Sequence, residues 1–276
     1  MSETPITPAA PISPWADPPV AEPQTAAPPV AAQPGGLQGL LWNVVSTLIL
    51  AGWLAWQMGW QAALAAVVGV FVHEFGHVLV INWAGSGPSR IRIIPFFGGA
   101  ATMAKAPDSE IKGVLISLAG PAFGLLAALP FIGLALWTNQ AVWLFGAFVI
   151  AGFNLLNLAP APPLDGAKAL GPMLARIHPS LERAALLAVG VLAVVWTLSR
   201  GLLLAPLFIG LSVFASFRTA RLRPAARPLT WGEWAVGMAL YLVALVLCGG
   251  VAWVAGTGAG VNAQFFSFGS FFGGSR

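Results

Sequence analysis

The chain has 276 residues, of which 58% are hydrophobic and only 8% are charged, with a formal net charge of +4. Ordinary soluble domains carry roughly 25% charged residues, so a soluble fold is excluded because too few charges remain to cover its apolar surface. The basic residues are not clustered with aromatic stacking platforms, which excludes nucleic acid as a partner. We therefore expect an integral membrane protein that lies in a lipid bilayer.

The first 36 residues differ in composition from the rest of the chain. They contain ten prolines and three acidic residues but no lysine or arginine. A signal peptide would instead begin with a basic region followed by a short apolar one, and so many prolines prevent a continuous helix. Residues 1–36 are therefore predicted to form a disordered, partly extended tail, with docking to a partner as the alternative.

Six or seven apolar stretches follow, and each approaches or exceeds the roughly 17 to 25 residues that cross a bilayer. Inside lipid, every backbone N–H and C=O must be paired within its own segment, which predicts helices. The run at 184–217 is interrupted by Ser199, Arg200 and Gly201. We interpret it as two short spans, the alternative being one span plus a re-entrant segment. The predicted spans lie at residues 37–58, 62–84, 111–137, 141–158, 184–217 and 231–255.

Two shorter elements are predicted between the spans. Residues 90–94 alternate polar and apolar side chains, which is a strand pattern, and a proline and two glycines follow by residue 99. We therefore expect a short β-hairpin after the second span. An amphipathic helix is expected at 166–177. The fold class is an all-α integral membrane protein, a bundle of about six or seven transmembrane helices in a domain at 37–256, followed by a Phe/Gly-rich tail at 257–276.

The basic residues predict how the bundle is oriented. If the N-terminus is cytoplasmic and there are seven spans, 11 of the 13 Lys and Arg fall in cytoplasmic loops, and only Arg200 and Arg276 lie on the other side. Membrane proteins show such an excess on the cytoplasmic side. We therefore expect a cytoplasmic N-terminus, with a bacterial inner membrane as the location.

Ionisable residues inside apolar spans are costly unless they are paired or bind an ion. The second span carries His73-Glu74-Phe75-Gly76-His77. Histidines four residues apart fall on one face of a helix, so both imidazoles can reach one ion. Zinc accepts neutral imidazole nitrogens in a tetrahedral site, and Glu74 is placed to act on water at the metal. The alternative is a pair of satisfied core histidines.

A catalytic zinc usually has three protein ligands and one open position. Asp165 is the only spare acidic residue beside a span, and it follows the fourth apolar stretch. The prolines before it stiffen an extended segment, and Gly166 lets the chain turn. We expect one Zn²⁺ ion held by His73, His77 and Asp165. In the alternative interpretation Asp165 is the N-cap of the following helix.

With these residues the chain resembles the site-2 protease family of intramembrane zinc metalloproteases. The resemblance is carried by the His73–His77 motif and by residues 157–166, which fit the family's Asn-x-x-Pro-x-Pro-x-x-Asp-Gly pattern. It extends to Phe97-Gly98-Gly99 and to Ser117-Leu-Ala-Gly120-Pro121, and it covers about residues 62–171, the family's catalytic core. The resemblance implies the zinc ligands His73, His77 and Asp165, with Glu74 as general base.

The resemblance also implies that Asn157 helps to hold the substrate or the oxyanion. The alternative for Asn157 is a hydrogen bond between helices. One departure from the family is Gly124, where many relatives have an asparagine. The loop at 85–110 is too short for the PDZ domain that some relatives insert, so the resemblance is to the compact branch of the family.

The sequence thus predicts a zinc metalloendopeptidase that hydrolyses peptide bonds of transmembrane protein substrates. Zinc lowers the pKa of water toward about 7, and Glu74 takes the proton. The substrate must unwind, and the hairpin edge could pair with the extended segment, unless the hairpin is only a connector. Two other functions compete: a membrane metal carrier or channel, and an inactive relative that binds membrane proteins.

Overall fold

The computed structural model describes residues 37–94, 98–161, 164–199 and 226–261. Most of both predicted tails and the second half of the run at 184–217 lie outside the described residues. Within the described part, the chain forms seven α-helices and one two-stranded sheet. The helices are α1 (Leu37–Met58), α2 (Trp60–Trp83), α3 (Glu110–Thr138), α4 (Ala141–Asn157), α5 (Asp165–Ile177), α6 (Pro179–Ser199) and α7 (Trp231–Gly258).

Residues that adopt unusual backbone angles separate the apolar helices. Gly59 is the single residue between α1 and α2, and its φ is 89°. Glycine adopts this conformation at little cost because it has no Cβ. Asn139 has φ 54° and ends α3 in the left-handed conformation, which asparagine tolerates better than most residues. At the start of α7, Thr230 and Glu233 form a reciprocal capping box, which satisfies backbone donors that have no intrahelical partner.

The predicted hairpin is present after α2. Strands β1 (Arg90–Ile94) and β2 (Gly98–Thr102) pair antiparallel, with Arg90 opposite Thr102 and Ile94 opposite Gly98. The Asn43 side chain of α1 donates to the Ile91 carbonyl at 3.3 Å. The hairpin is therefore attached to α1 as well as following α2.

The core lies between α2, α3, α4, α5 and α7, within the compact unit that begins at Leu40. One apolar cluster joins α3 and α5 to α7 and contains Val114, Met173 and Cys248. A second joins α2, α3 and α4 around Ala65, Phe131 and Ile150. Alanines are frequent in the second cluster, as expected of helices that pack closely in a membrane.

The helix ends fall into two groups. At one end, which we call the α5 end, Ser109 forms a bridge with Arg227, and the Trp234 indole donates to the Met173 carbonyl at 3.0 Å. At the opposite end, the rings of Trp60 and Trp143 lie 5.7 Å apart. The starts of α3 and α7 and the end of α5 therefore share one end, and the starts of α2 and α4 share the other.

Four described helices, α1, α2, α3 and α7, are long and apolar enough to cross a bilayer, and α4 is a shorter apolar helix. Many large apolar side chains point outward, for example Leu136 at 79% exposure and Val246 at 70%. Such surfaces are stable in lipid but not in water. The expected all-α membrane fold is confirmed.

Candidate metal centre

Helix α2 places three of the predicted residues on its buried face. His73, Glu74 and His77 are 1%, 4% and 6% exposed, although the helix is otherwise apolar. The His73 and His77 rings are edge-to-face with centroids 4.8 Å apart. The four-residue spacing therefore brings both imidazoles to one point beside α3.

Asp165 arrives from the other side of this point. The N-cap of α5 is Leu164, and Asp165 is the first residue of the helix itself. The N-cap interpretation of Asp165 is therefore not what the structure shows. The Leu158 carbonyl lies so close to Gly166 that a Cβ there would overlap it. This close approach folds the chain back after α4 and turns the Asp165 side chain toward α2.

Three ligand-type atoms meet at the centre of this arrangement. His73 Nε2, His77 Nε2 and Asp165 Oδ2 form a triangle with all three sides at 3.1 Å. A tetrahedral ion with bonds of about 2.0 Å separates its ligands by roughly 3.3 Å, so the triangle has the size that a zinc-like ion requires. Within the described residues this is the group of His, Cys, Asp and Glu side chains that could hold a metal ion.

The outer nitrogens of both rings fix which nitrogen faces the centre. His73 Nδ1 lies 2.8 Å from Asn154 Oδ1, and His77 Nδ1 lies 2.7 Å from the Ile116 carbonyl. Both partners are oxygens that accept, so each Nδ1 is the donor, and in the neutral imidazole that binds metal each Nε2 then carries a lone pair. Two lone pairs and a carboxylate oxygen 3.1 Å apart repel one another unless a cation lies between them. The donor set thus fits a metal ion better than a satisfied polar core.

Helix α3 approaches the two imidazoles most closely at Gly120, which has no side chain. A Cβ on Gly120 would lie 2.6 Å from His73 Nε2 and still closer to His77 Nε2. Helix α3 continues through Pro121, the next residue. Gly120 is therefore the position that lets α3 close one side of the metal centre.

A cavity of about 900 Å³ opens onto the three ligand atoms. Glu74 lines it, and the buried Glu74 Oε2 finds no hydrogen-bond partner among the described residues. A buried carboxylate oxygen is costly without a partner, so water or a substrate group is needed beside it. The rest of the lining is largely apolar and includes Leu50 and Trp53 of α1, Ala101 of β2 and Leu156 of α4.

Two further polar residues line the same cavity. Lys168 Nζ lies 3.4 Å from Asp165 Oδ1, the carboxylate oxygen that does not face the histidines. Asn157 Nδ2 donates to the Phe153 carbonyl of its own helix at 3.1 Å. Asn157 therefore reaches the cavity, while Asn154, one turn earlier, accepts the hydrogen bond that His73 donates.

Fold and site together define a multi-helix membrane protein with a buried group of two histidines and one aspartate that could hold a metal ion. Residues 61–140 match the family model described as "Peptidase family M50". The protein named "Putative zinc metalloprotease sll0528" of Synechocystis sp. is 30% identical over 148 residues, 50% of this chain and 38% of that protein. "Putative zinc metalloprotease Rip3" of Mycobacterium tuberculosis is 30% identical over 140 residues, 47% of this chain and 35% of that protein.

These matches confirm the resemblance to the site-2 proteases that the two motifs indicated. The aligned segments span little more than a third of the length of each relative. The family match includes His73 and His77 and ends before Asp165, and the similarity does not extend over the whole of the relatives.

Sequence reasoning missed Asn154, and it named Gly120 and Gly124 without placing either of them in the site. Asn154 had a detectable signal, because it is a polar amide inside an apolar helix, and a buried amide needs a partner. The two glycines were noticed only through the family resemblance, since glycine is frequent throughout this chain (32 residues) and composition does not single them out. Only the packing of α3 against α2 and α4 shows which glycines matter.

Proposed function

We propose that this chain is an intramembrane zinc metalloprotease that hydrolyses peptide bonds of membrane protein substrates. The observation that carries the proposal is the 3.1 Å triangle of His73 Nε2, His77 Nε2 and Asp165 Oδ2 beside the unpartnered Glu74 carboxylate. Two histidines and one carboxylate leave a tetrahedral zinc one open position, which is typical of catalytic rather than structural sites. The names of the relatives support zinc as the ion.

In this proposal His73, His77 and Asp165 hold the ion, and Glu74 is the general base. Zinc in such a site supplies a Lewis acid that polarises a carbonyl and makes water easier to deprotonate. Glu74 takes the proton of the attacking water and passes it to the leaving amine. Two observations support this role: Glu74 lines the cavity, and its Oε2 has no hydrogen-bond partner among the described residues.

The cavity supports a substrate that enters as an extended chain. A helical peptide bond is shielded by its own turns, so the substrate must unwind before it reaches Glu74. Ala101 of β2 lines the cavity, which supports pairing of the unwound segment with the hairpin. Asn157 lines it from α4, and we assign it the contact to the substrate or the oxyanion.

The proposal includes the organisation of the chain in its membrane. The catalytic core lies at residues 62–171 of a membrane domain at 37–256, flanked by tails at 1–36 and 257–276. The N-terminus is cytoplasmic and the membrane is a bacterial inner membrane. The clustering of basic residues in the loops on one side supports this orientation.

Glu74→Gln tests the assigned chemistry. Purified wild-type protein should contain about one zinc, and Glu74→Gln should keep the zinc while its cleavage of a co-expressed membrane protein falls by about 10²–10⁴-fold. Glu182→Gln, a change on α6, should retain both zinc and cleavage. Comparing the membrane proteomes of cells with wild type and Glu74→Gln would reveal the natural substrates.

The outcomes separate this proposal from its rivals. A Glu74→Gln protein that still cuts at the normal rate would remove Glu74 from the mechanism. A zinc-loaded wild type that cuts nothing across a broad panel of membrane proteins would favour an inactive binding protein or a metal carrier. A carrier needs further ligands along its path, and the described residues hold no second group of this kind.

A further inference from the structure

The two histidines are held by different kinds of acceptor. His77 Nδ1 donates to the Ile116 carbonyl, a backbone group that no substitution of a side chain can remove. His73 Nδ1 donates to the side-chain oxygen of Asn154 on α4, at 2.8 Å. The orientation of one imidazole is therefore part of the backbone fold, while that of the other depends on a single side chain.

The amide of Asn154 can face His73 in only one way. Its Nδ2 donates to the Ile150 carbonyl, four residues earlier in the same helix, at 2.8 Å. The oxygen is thereby left to face the imidazole. Asn154 is 0% exposed, so water does not offer an alternative partner. An acceptor fixed in this way holds the proton on Nδ1 and leaves the Nε2 lone pair directed at the centre.

The space for this amide comes from α3. A Cβ on Gly124 would lie 2.5 Å from Asn154 Nδ2 and still closer to Oδ1. A side chain at position 124 would therefore occupy the space in which the Asn154 amide lies. The amide of α4 therefore lies in the space beside Gly124.

We propose that Asn154 is a positioning residue that fixes the tautomer of His73, in a space that Gly124 leaves open, and thereby sets the affinity of the centre for zinc. The inference rests on the proposed function in taking zinc as the ion. Without the acceptor, His73 either buries an unpaired Nδ1–H or moves the proton to Nε2, where it blocks ligation. Loss of such an outer partner typically lowers metal affinity by about 10–100-fold.

The test compares two asparagines on one helix in the full-length purified protein. Asn154→Leu should weaken zinc binding by about 10–100-fold in chelator competition and change the visible spectrum of the Co²⁺-loaded protein. Asn154→Asp, which keeps an oxygen acceptor, should bind zinc more tightly than Asn154→Leu. The matched control Asn157→Leu should leave zinc affinity unchanged and affect cleavage alone.

Glycine substitutions test the space independently. Gly124→Ala should weaken zinc binding because its Cβ displaces the amide, whereas Gly133→Ala should not, because no atom lies within 4 Å of a Cβ at that position of the same helix. Melting temperatures of the metal-free proteins show whether each variant folds. A folded Asn154→Leu with wild-type zinc affinity, or Asn154→Asp as weak as Asn154→Leu, would overturn the inference.

The results also separate this inference from the protease proposal. Zinc binding that depends on Asn154 in a protein that cuts no substrate would support the inference and contradict the protease. If cleavage depends on Glu74 while zinc affinity does not change with the residue at position 154, the protease proposal is supported and the inference about Asn154 is contradicted.

Discussion

Gly120 sets how closely α3 can approach the two imidazoles. Because a Cβ there would lie within 2.6 Å of His73 Nε2, the smallest substitution must move either a ligand or the helix. We predict that Gly120→Ala abolishes tight zinc binding and lowers cleavage by about 100-fold, as expected when reacting groups are displaced by about 1 Å. Zinc affinity by chelator competition and cleavage of a membrane substrate measure the two effects.

The control for Gly120→Ala is Gly133→Ala on the same helix, where a Cβ meets open space. Both changes replace glycine by alanine in α3, so both reduce backbone freedom similarly. Gly133→Ala should retain zinc and cleavage. A Gly120→Ala protein with wild-type zinc affinity would show that the centre tolerates a side chain where the structure leaves no room.

At the scale of single residues, the chemical character of the side chains was enough to predict which residues meet at the candidate metal centre. His73, His77 and Asp165 were found because each is costly in an apolar helix or beside one unless it has a partner. Asn154 was not found and Gly120 was given no role, since their contributions depend on the register between α2, α3 and α4. That register follows from side-chain packing, which the spacing of motifs along one helix does not reveal.

Helix α7 holds the segment that carries Asp165. The Tyr241 hydroxyl donates to the Leu158 carbonyl at 2.6 Å, at the end of α4 and just before the chain turns back to Asp165. We predict that Tyr241→Phe lowers the free energy of unfolding by about 1 kcal/mol, the usual net value of one hydrogen bond. Cleavage should fall as well, because the turn that presents Asp165 loses its anchor.

Thr257→Ala is the control for this change. The Thr257 hydroxyl also bonds to carbonyls, but these belong to its own helix, at the opposite end of α7. Thr257→Ala should leave cleavage unchanged. Thermal unfolding and cleavage assays measure both variants, and Tyr241→Phe cutting at the wild-type rate would show that α7 does not position Asp165.

The helices were predicted closely because lipid restricts what an apolar stretch can form. The first span agrees at both ends with α1, and the spans for α3 and α4 agree within one residue at each end. Helix α2 begins two residues before the predicted span at 62–84, because Gly59 alone makes the turn between α1 and α2. The hairpin extends beyond the predicted turn to Thr102. Gly98 and Gly99 pair with β1 and therefore begin the second strand.

The starts of α6 and α7 lie at the same end of the described helices. Arg176 at the end of α5 lies over the Trp231 ring, 4.6 Å from its centroid, so α6 and α7 both begin at the α5 end. The predicted pair of spans at 184–217 would return the chain to this end, and it stays a prediction because its second half lies outside the described residues.

Single cysteines can show on which side of the membrane each end lies. In a Cys248→Ala background, we predict that a membrane-impermeant maleimide applied to intact cells labels Gln140→Cys and Thr257→Cys but not Ala106→Cys. All three positions are exposed. The first two lie at the end where α4 begins and α7 ends, and Ala106 lies in the loop before α3 at the α5 end.

Labelling of Ala106→Cys after the membrane is opened provides the control that this cysteine is reactive. The reverse pattern in intact cells would invert the proposed orientation and place the α5 end outside. Labelling of Gln140→Cys without Thr257→Cys would contradict the fold itself, because Gly258 lies against Leu144. The orientation matters for function, since a cytoplasmic α5 end opens the centre to substrates that are cut near the inner face of the membrane.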